Sequence, residues 1–429
     1  MVKRIIRSGI SMDTKNFSVN SVDELLLKCS RAKIESSARN QIQSLLVDNR
    51  LDWNEVLRKA RAQWVAPSLY YNLQQWGLAK LIPPKIEQDF KKIYLTNAAR
   101  NATIFYHLSR LLKHFQENHI PVVVLKGAAL AAAVYPLPSL RMMGDVDLLL
   151  KEADLALVDS FLLDLGYIPQ AQDKWQEEKI HHIYLSPNNL LGLEVHWALS
   201  SANIPATIDV IKMWQRAGPL QVEDAEALTL SPEDLIQHLC IHALPHHNFY
   251  SSIQLRNVYD LWAIIDKYGS DKVDWDYLVE GCRQYRTGIF VYLALRKLDE
   301  SGEFPFLKEI LKKFEPTVSE YKLSYLLENE SFLNLDNLTD PIVEAVFELL
   351  REKGIIPRIK YLIKKAFPPS AILVQYYNLY NLSPSSKWIY LYYFLRPFIL
   401  FGKHRRRLNL SSLQSLSRIG KLKAEITKN

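Results

Sequence analysis

Residues 143–150 read MGDVDLLL, a short apolar run that contains two acidic residues, Asp145 and Asp147. Because side chains alternate between the faces of a β-strand, this spacing predicts that both carboxylates lie on one face. Two like charges repel each other, so such a pair must be solvated or neutralised. An edge strand with one polar face toward water would give the same pattern, and the motif alone does not decide between these interpretations.

A second apolar strand strengthens the interpretation as a site. Residues 193–197, LEVHW, place Glu194 and His196 on one face of that strand. Two adjacent strands can bring three carboxylates within about 4–6 Å, which suits Mg²⁺ because this ion prefers oxygen ligands. We therefore predict that Asp145, Asp147 and Glu194 bind Mg²⁺, with Mn²⁺ as the alternative ion. For His196 three roles stay open: a hydrogen-bond partner of Glu194, a base or substrate contact, and a structural histidine.

A strand-to-helix turn upstream predicts a phosphate site. Residues 121–125, PVVVL, form a buried strand, and Lys126, Gly127 and Ala128 lead from it into a helix of small residues. Backbone N–H groups at such a turn and at a helix N-terminus bind anions, here a triphosphate. Lys126 and Arg141 would add positive charge beside it.

The elements around these motifs alternate between strand and helix. Apolar periodicity predicts helices over 84–115 and 154–165 and a hairpin with strands over 181–185 and 190–199. Together with the motif-bearing strands they form an α/β module of about a hundred residues.

Helical patterns precede and follow this module. Asp52 is predicted to cap a helix before it, and Ser231 with Pro232 to open one after it, followed by helices over 254–267 and 339–353. We therefore predict four regions. They are an N-terminal helical region (1–105), an α/β core (106–222), a helical domain (223–365) and an aromatic, then basic, C-terminal segment (366–429).

Composition excludes several classes of protein. The 429 residues are 48% hydrophobic and 23% charged, as in ordinary folded proteins, which excludes a disordered or collagen-like chain. Eight basic residues and one acidic residue in 402–429 account for the whole net charge of +7, so the neutral remainder does not indicate a nucleic-acid-binding surface. Three cysteines without a Cys-x-x-Cys motif exclude a disulfide framework and predict reduced thiols in the cytoplasm.

No segment is predicted to cross a membrane. Residues 1–10 lack the apolar run of a signal peptide, and no run of 18 apolar residues occurs. The aromatic segment 388–401 is interrupted by Arg396 and Pro397. Core packing is the default interpretation of its aromatic residues, and a membrane-interface anchor, a groove on a partner protein and contact with RNA are the alternatives. For residues 402–429 we predict a peripheral contact with an anionic membrane.

Three motifs in order resemble a known family. They are VVLKGAAL at 123–130, RMMGDVDLLL at 141–150 and LEVHWAL at 193–199, and helical segments such as HLCIHALPHH at 238–247 extend the likeness over residues 20–300. The chain is similar to the uncharacterised nucleotidyltransferase family of the DNA polymerase beta superfamily.

The resemblance implies an α+β fold in which a small mixed sheet, flanked by N-terminal and C-terminal helical regions, holds two Mg²⁺ ions and a nucleoside triphosphate (NTP). In that scheme Asp145 and Asp147 ligate the metals, Glu194 is the third carboxylate, and Gly127 lies against the phosphates. The superfamily commonly has Ser or Gly after this glycine, whereas this chain has Ala128, which removes a hydroxyl donor.

The predicted function is transfer of a nucleoside monophosphate from an NTP to a hydroxyl or phosphate of a small molecule, peptide or protein. Asp145, Asp147, Glu194 and His196 would form the catalytic group, and Lys126, Gly127, Ala128 and Arg141 would bind the NTP. Two alternatives stay open: a catalytically silent nucleotide-binding or scaffold protein of the same fold, and a nucleotidyltransferase that modifies tRNA.

Two other patterns are interpreted as structural. His238 and His242 have the spacing of a zinc-binding pair, but Leu239 stands where a metalloprotease helix has glutamate, so we expect buried core histidines. Asp260 is expected to pair with Arg256 one turn earlier in its helix.

Overall fold

A mixed β-sheet with helices before and after it in the chain forms the centre of the structure. This computed structural model describes residues 21–31, 38–47, 51–170, 180–187, 191–199, 208–243, 254–285, 287–299 and 304–314. Within them the sheet has seven strands: β1 (Val123–Val124), β2 (Asp145–Leu149), β3 (Ile168–Pro169), β4 (His181–Leu185), β5 (Gly192–His196), β6 (Gly218–Val222) and β7 (Ala225–Thr229).

The strand order is β3-β4-β5-β2-β1-β7-β6. Strand β2 runs parallel to β5, and β1 runs parallel to β7. The other neighbouring pairs are antiparallel. This arrangement confirms the predicted α+β fold with a small mixed sheet.

The described residues include thirteen α-helices, which precede, separate and follow the strands in sequence. They are α1 (Ser21–Cys29), α2 (Ala38–Val47), α3 (Trp53–Ala62), α4 (Ala66–Gln75), α5 (Pro84–Glu117), α6 (Lys126–Ala133), α7 (Leu155–Asp164), α8 (Val210–Arg216), α9 (Pro232–Ala243), α10 (Leu255–Tyr268), α11 (Trp275–Gln284), α12 (Gly288–Asp299) and α13 (Leu307–Lys313). None of the helices in these ranges is long and apolar enough to pass through a bilayer.

The long helix α5 packs on the sheet through one apolar stripe. Its residues Ile104, Leu108, Leu112 and Phe115 recur at spacings of three and four and are buried. They belong to the same hydrophobic core as Val146 and other strand residues. The predicted helix over 84–115 is therefore confirmed, and it extends two residues further.

Two helices begin at the capping residues that the sequence predicts. The carboxylate of Asp52 accepts hydrogen bonds from the backbone N–H groups of Asn54 and Glu55 at the start of α3. The hydroxyl of Ser231 accepts one from Asp234 N at the start of α9.

Two elements differ from the prediction. Helix α6 begins at Lys126, so Gly127 lies inside its first turn and not in a separate connection. The hairpin of β6 and β7 was not predicted, although β7 pairs with the central strand β1. Its turn contains Glu223 in the left-handed backbone region (φ 52°), a conformation that the residue type does not signal.

The predicted region boundaries stay predictions. The boundary between residues 105 and 106 falls inside α5, and the one between 222 and 223 falls in the turn between β6 and β7. The predicted helix over 339–353 and the segment 366–429 lie outside the described residues.

Candidate active site

The register of two parallel strands brings acidic side chains to one face of the sheet. Asp147 on β2 lies opposite Glu194 on β5, and Asp145 lies opposite Gly192. Val146 on β2 points into the core and is fully buried. The strand alternation predicted from MGDVDLLL is thus present, and the acidic residues have a common face.

Asp147, Glu194 and His196 form a tight cluster on this face. One ligand atom from each lies within 4.8 Å of the others. His196 Nε2 is 3.1 Å from Asp147 Oδ1 and 3.2 Å from Glu194 Oε2, within hydrogen-bond distance of both carboxylates. Among the roles left open for His196, its position corresponds to a partner of the carboxylates.

Lys126 supplies a positive charge to the same cluster. Its Nζ donates to Asp147 Oδ1 at 2.5 Å and lies 4.0 Å from Glu194 Oε2. Its backbone is in the left-handed region, with φ 43°, where residues other than glycine are strained. Lys126, the first residue of α6, thus combines a strained backbone with a side-chain contact to Asp147 on β2.

The charges around Asp147 determine its ionisation. Burial alone would raise the pKa of its carboxyl group, but the ammonium of Lys126 and the imidazole of His196 hold this pKa well below its ordinary value. Burial likewise disfavours the charged form of His196, and its hydrogen bonds to Asp147 and Glu194 raise its pKa nevertheless. The contacts therefore favour the charged form of both Asp147 and His196.

Asp145 lies outside this cluster, at the exposed start of β2. Partial desolvation, followed by the negative charges of Asp147 and Glu194, raises the pKa of Asp145. The structure thus brings two of the three predicted metal ligands together with His196. A direct role of Asp145 stays a prediction.

The donor set of the cluster fits a divalent cation. Octahedral ligands at about 2.1 Å from Mg²⁺ lie at most about 4.2 Å apart, so atoms within 4.8 Å need only a small contraction. Carboxylate oxygens of Asp147 and Glu194 are the ligands that Mg²⁺ prefers. The ammonium of Lys126 lies so close to Asp147 that it would have to move away from a cation bound there.

Gly127 is required by a close approach within the first turn of α6. A Cβ atom at this position would lie 2.5 Å from Arg141 Nη1 and 3.2 Å from Met143 Cγ. The first backbone N–H groups of a helix, here those of Gly127 and Ala128, have no acceptor within it. Both residues are themselves buried.

Arg141 is held by an ion pair that the sequence did not predict. Its Nε and Nη2 donate to the two carboxylate oxygens of Asp260 at 2.9 and 2.8 Å. The expected pair between Asp260 and Arg256 is wrong: among the described residues Asp260 contacts Arg141 and Tyr135, while Arg256 lies over the ring of Trp64. A direct phosphate contact of Arg141 stays a prediction, and the structure shows its guanidinium bound to Asp260.

One neighbour of the cluster was missed from the sequence. His181 on β4 lies opposite His196 on β5, and their rings are 4.8 Å apart. Burial, and then the charge of His196, lowers the pKa of His181. The predicted hairpin could have indicated this neighbour, because antiparallel pairing of its two strands places His181 beside His196.

His238 and His242 do not join the cluster. His238 is buried in α9, as expected for a core residue, whereas His242 is half-buried and the expectation for it is wrong. The only group of metal-binding side chains in the described ranges is the one around Asp147. The three cysteines are buried and unbridged.

Comparison with known proteins identifies one family. The model of a family described as uncharacterised nucleotidyltransferase matches residues 49–300. Among solved structures, the antibiotic-resistance factor ANT(2'')-Ia is 14% identical, with a TM-score of 0.32, over 47% of this chain and 99% of its own. An antigenic nucleotidyltransferase-like protein from Paracoccidioides brasiliensis is 16% identical, with a TM-score of 0.30, over 49% of this chain and 92% of its own. No curated protein matches the chain.

Proposed function

Because this chain belongs to the uncharacterised nucleotidyltransferase family, we propose that it is a metal-dependent enzyme that moves a nucleoside monophosphate from an NTP to an acceptor. The acceptor is a hydroxyl or phosphate group on a small molecule, a peptide or a protein. The observation that carries the proposal is the cluster of Asp147, Glu194 and His196, with Lys126 beside it at the start of α6.

Each side chain of the cluster has a role in this proposal. Asp147 and Glu194 hold a divalent cation, Mg²⁺ or Mn²⁺, and Asp145 lies at its exposed side. His196 holds the two carboxylate groups in position relative to each other through its hydrogen bonds. A bound cation of this kind neutralises phosphate charge and favours the ionised form of an attacking hydroxyl.

The remaining groups act on the NTP. The ammonium of Lys126 and the backbone N–H groups of Gly127 and Ala128 bind phosphate oxygens. The acceptor oxygen attacks the α-phosphorus, pyrophosphate leaves, and Glu194 accepts the proton of the attacking hydroxyl. Glu194 suits this role because it is half-buried, whereas Asp147 is closed off from solvent.

The direct test uses the full chain with each of the four NTPs, labelled once at the α-phosphate and once at the γ-phosphate. We expect label from the α position, and none from the γ position, to enter a component of a cell extract when Mg²⁺ or Mn²⁺ is present. This result would identify the donor and the acceptor class, including tRNA if the label is sensitive to ribonuclease. Nucleotide binding without transfer from any NTP would favour the silent nucleotide-binding protein, which Ala128 keeps as an alternative.

We also propose a cytoplasmic protein that binds anionic membranes through residues 402–429, which lie outside the described residues. Each basic residue near an anionic membrane contributes about 1 kcal/mol, and a few aromatic rings from 388–401 add apolar burial. We expect the full chain to float with vesicles containing phosphatidylserine at low salt, after nuclease treatment, and a chain that ends at Phe401 to stay unbound. Equal sedimentation of both chains without the vesicles would contradict this prediction.

A further inference from the structure

A buried ion pair connects helix α10 to the segment in front of β2. Asp260 is 0% and Arg141 5% exposed, and the two residues are 119 positions apart in the chain. Tyr135 also donates its hydroxyl hydrogen to Asp260 Oδ1 at 2.8 Å. Replacing a buried ion pair by apolar residues of similar volume is often neutral or stabilising, so stability alone does not account for charges at this place.

The guanidinium of Arg141 lies directly against the phosphate-binding turn. Its Nη1 occupies the space where a side chain at Gly127 would begin. Gly127 in turn follows Lys126, whose ammonium contacts Asp147. One path of contacts therefore leads from α10 to the carboxylate cluster: Asp260 binds Arg141 through hydrogen bonds, Arg141 packs against Gly127, and the neighbouring Lys126 binds Asp147.

The backbone of residues 141–144, in front of β2, is also held by hydrogen bonds from helices α5 and α10. Asn101 on α5 donates to the carbonyl oxygen of Arg141 at 2.8 Å, and Arg100 donates to that of Gly144 at 2.8 Å. Arg256 on α10 donates to that of Met142 at 3.4 Å. The backbone from 141 to 144 is thus fixed directly before Asp145, and the Arg141 side chain is the part that faces Gly127.

We propose that Asp260 is a positioning residue for the nucleotide site. It holds the Arg141 guanidinium against Gly127, and so fixes the turn that binds phosphates relative to the strand that carries Asp145 and Asp147. The inference rests on the proposed function, because it assigns Asp260 a role in NTP binding. Displacing such a turn by about 1 Å is enough to lose much of the productive geometry.

The test measures equilibrium binding of a fluorescent NTP analogue to the full chain, with circular dichroism and melting temperature as folding controls. In Asp260→Asn the side chain keeps its size but leaves Arg141 without its anionic partner, and we expect the Kd to rise about tenfold or more. Asp260→Glu restores the charge and should recover most of the affinity. Tyr135→Phe removes one hydrogen bond to Asp260 without unpairing a charge, and should raise the Kd by about threefold.

Glu233→Gln is the matched control. Glu233 is buried and pairs with Arg216, and this pair joins α8 to α9. The Arg216 side chain is 31% exposed and also lies 3.5 Å from Asp234. Glu233→Gln should lower the melting temperature, by less than Asp260→Asn because Arg216 keeps Asp234, and leave the Kd unchanged. Should Asp260→Asn not fold, Tyr135→Phe, with its expected rise in Kd of about threefold, carries the test.

The outcomes separate the two proposals. Wild-type protein that binds no NTP would contradict the proposed function itself. Wild-type protein that binds NTP, with folded Asp260→Asn and Tyr135→Phe variants binding within twofold of it, would overturn the positioning role alone. A parallel loss of affinity in Glu233→Gln would also overturn it, because the effect would then follow stability and not position.

Discussion

Replacing Asp147 with asparagine is expected to lower nucleotidyl transfer by about a thousandfold while the protein remains folded. The amide keeps the size of the side chain but removes the charge that Lys126, His196 and a divalent cation all require. Lys126 can turn toward solvent, since 12% of its side chain is already exposed, so the fold tolerates the loss. Initial rates with the α-labelled NTP, measured beside the melting temperature, test this expectation.

Glu226→Gln is the control for this prediction. Glu226 is an exposed residue on β7 of the same sheet, and its replacement changes the net charge by the same amount away from the cluster. We expect wild-type rates in this variant. Wild-type rates in Asp147→Asn, with an unchanged melting temperature, would exclude the role assigned to Asp147.

Gly127→Ala is expected to lower the free energy of unfolding by about 2–4 kcal/mol. The added methyl group would lie 2.5 Å from Arg141 Nη1, and the two hydrogen bonds to Asp260 prevent the guanidinium from moving aside freely. Either α6 shifts or the buried ion pair is broken, and both cost stability. Urea unfolding followed by circular dichroism measures the difference.

The matched substitution is Gly281→Ala in α11. The nearest atoms to its Cβ position, from Gln237 and Tyr285, are 4.0 Å away, so the methyl group fits. Alanine is a better helix former than glycine, and we expect this variant to have a free energy of unfolding that is about 0.5–1 kcal/mol higher than that of the wild type. Equal unfolding midpoints for wild type and Gly127→Ala would show that the turn accommodates a side chain.

The sequence was sufficient for features that depend on near neighbours. The two-residue period of MGDVDLLL places Asp147 on one face and Val146 in the core, and the register of β2 with β5 then brings Glu194 opposite Asp147. The spacing of Leu108, Leu112 and Phe115 likewise predicts the buried stripe of α5. Such patterns are local, because strand and helix geometry fix which residues have a common face.

Features that depend on distant partners could not be predicted in this way. Nothing near Asp260 in the sequence indicates that Arg141, rather than Arg256, is its partner. The hairpin β6–β7 joins the sheet through a parallel contact with β1, a strand of only two residues whose neighbours no periodicity specifies. Asp145 and Asp147 look equivalent in the motif, but Asp145 lies at the exposed start of β2 and Asp147 lies in its buried middle.

Helix α5 joins the amino-terminal helices to the segment in front of the acidic strand β2. It is continuous for 34 residues, or about 50 Å, and Phe90 near its start stacks on Tyr70 of α4. In its middle, Asn97 and Asn101 donate to backbone carbonyls of the turn before β2. Since no break interrupts this helix in the described residues, we expect local opening at α4 to spread to the turn that precedes the acidic strand. A destabilising change among the first helices therefore lowers the population of intact sites without touching any group that meets the substrate.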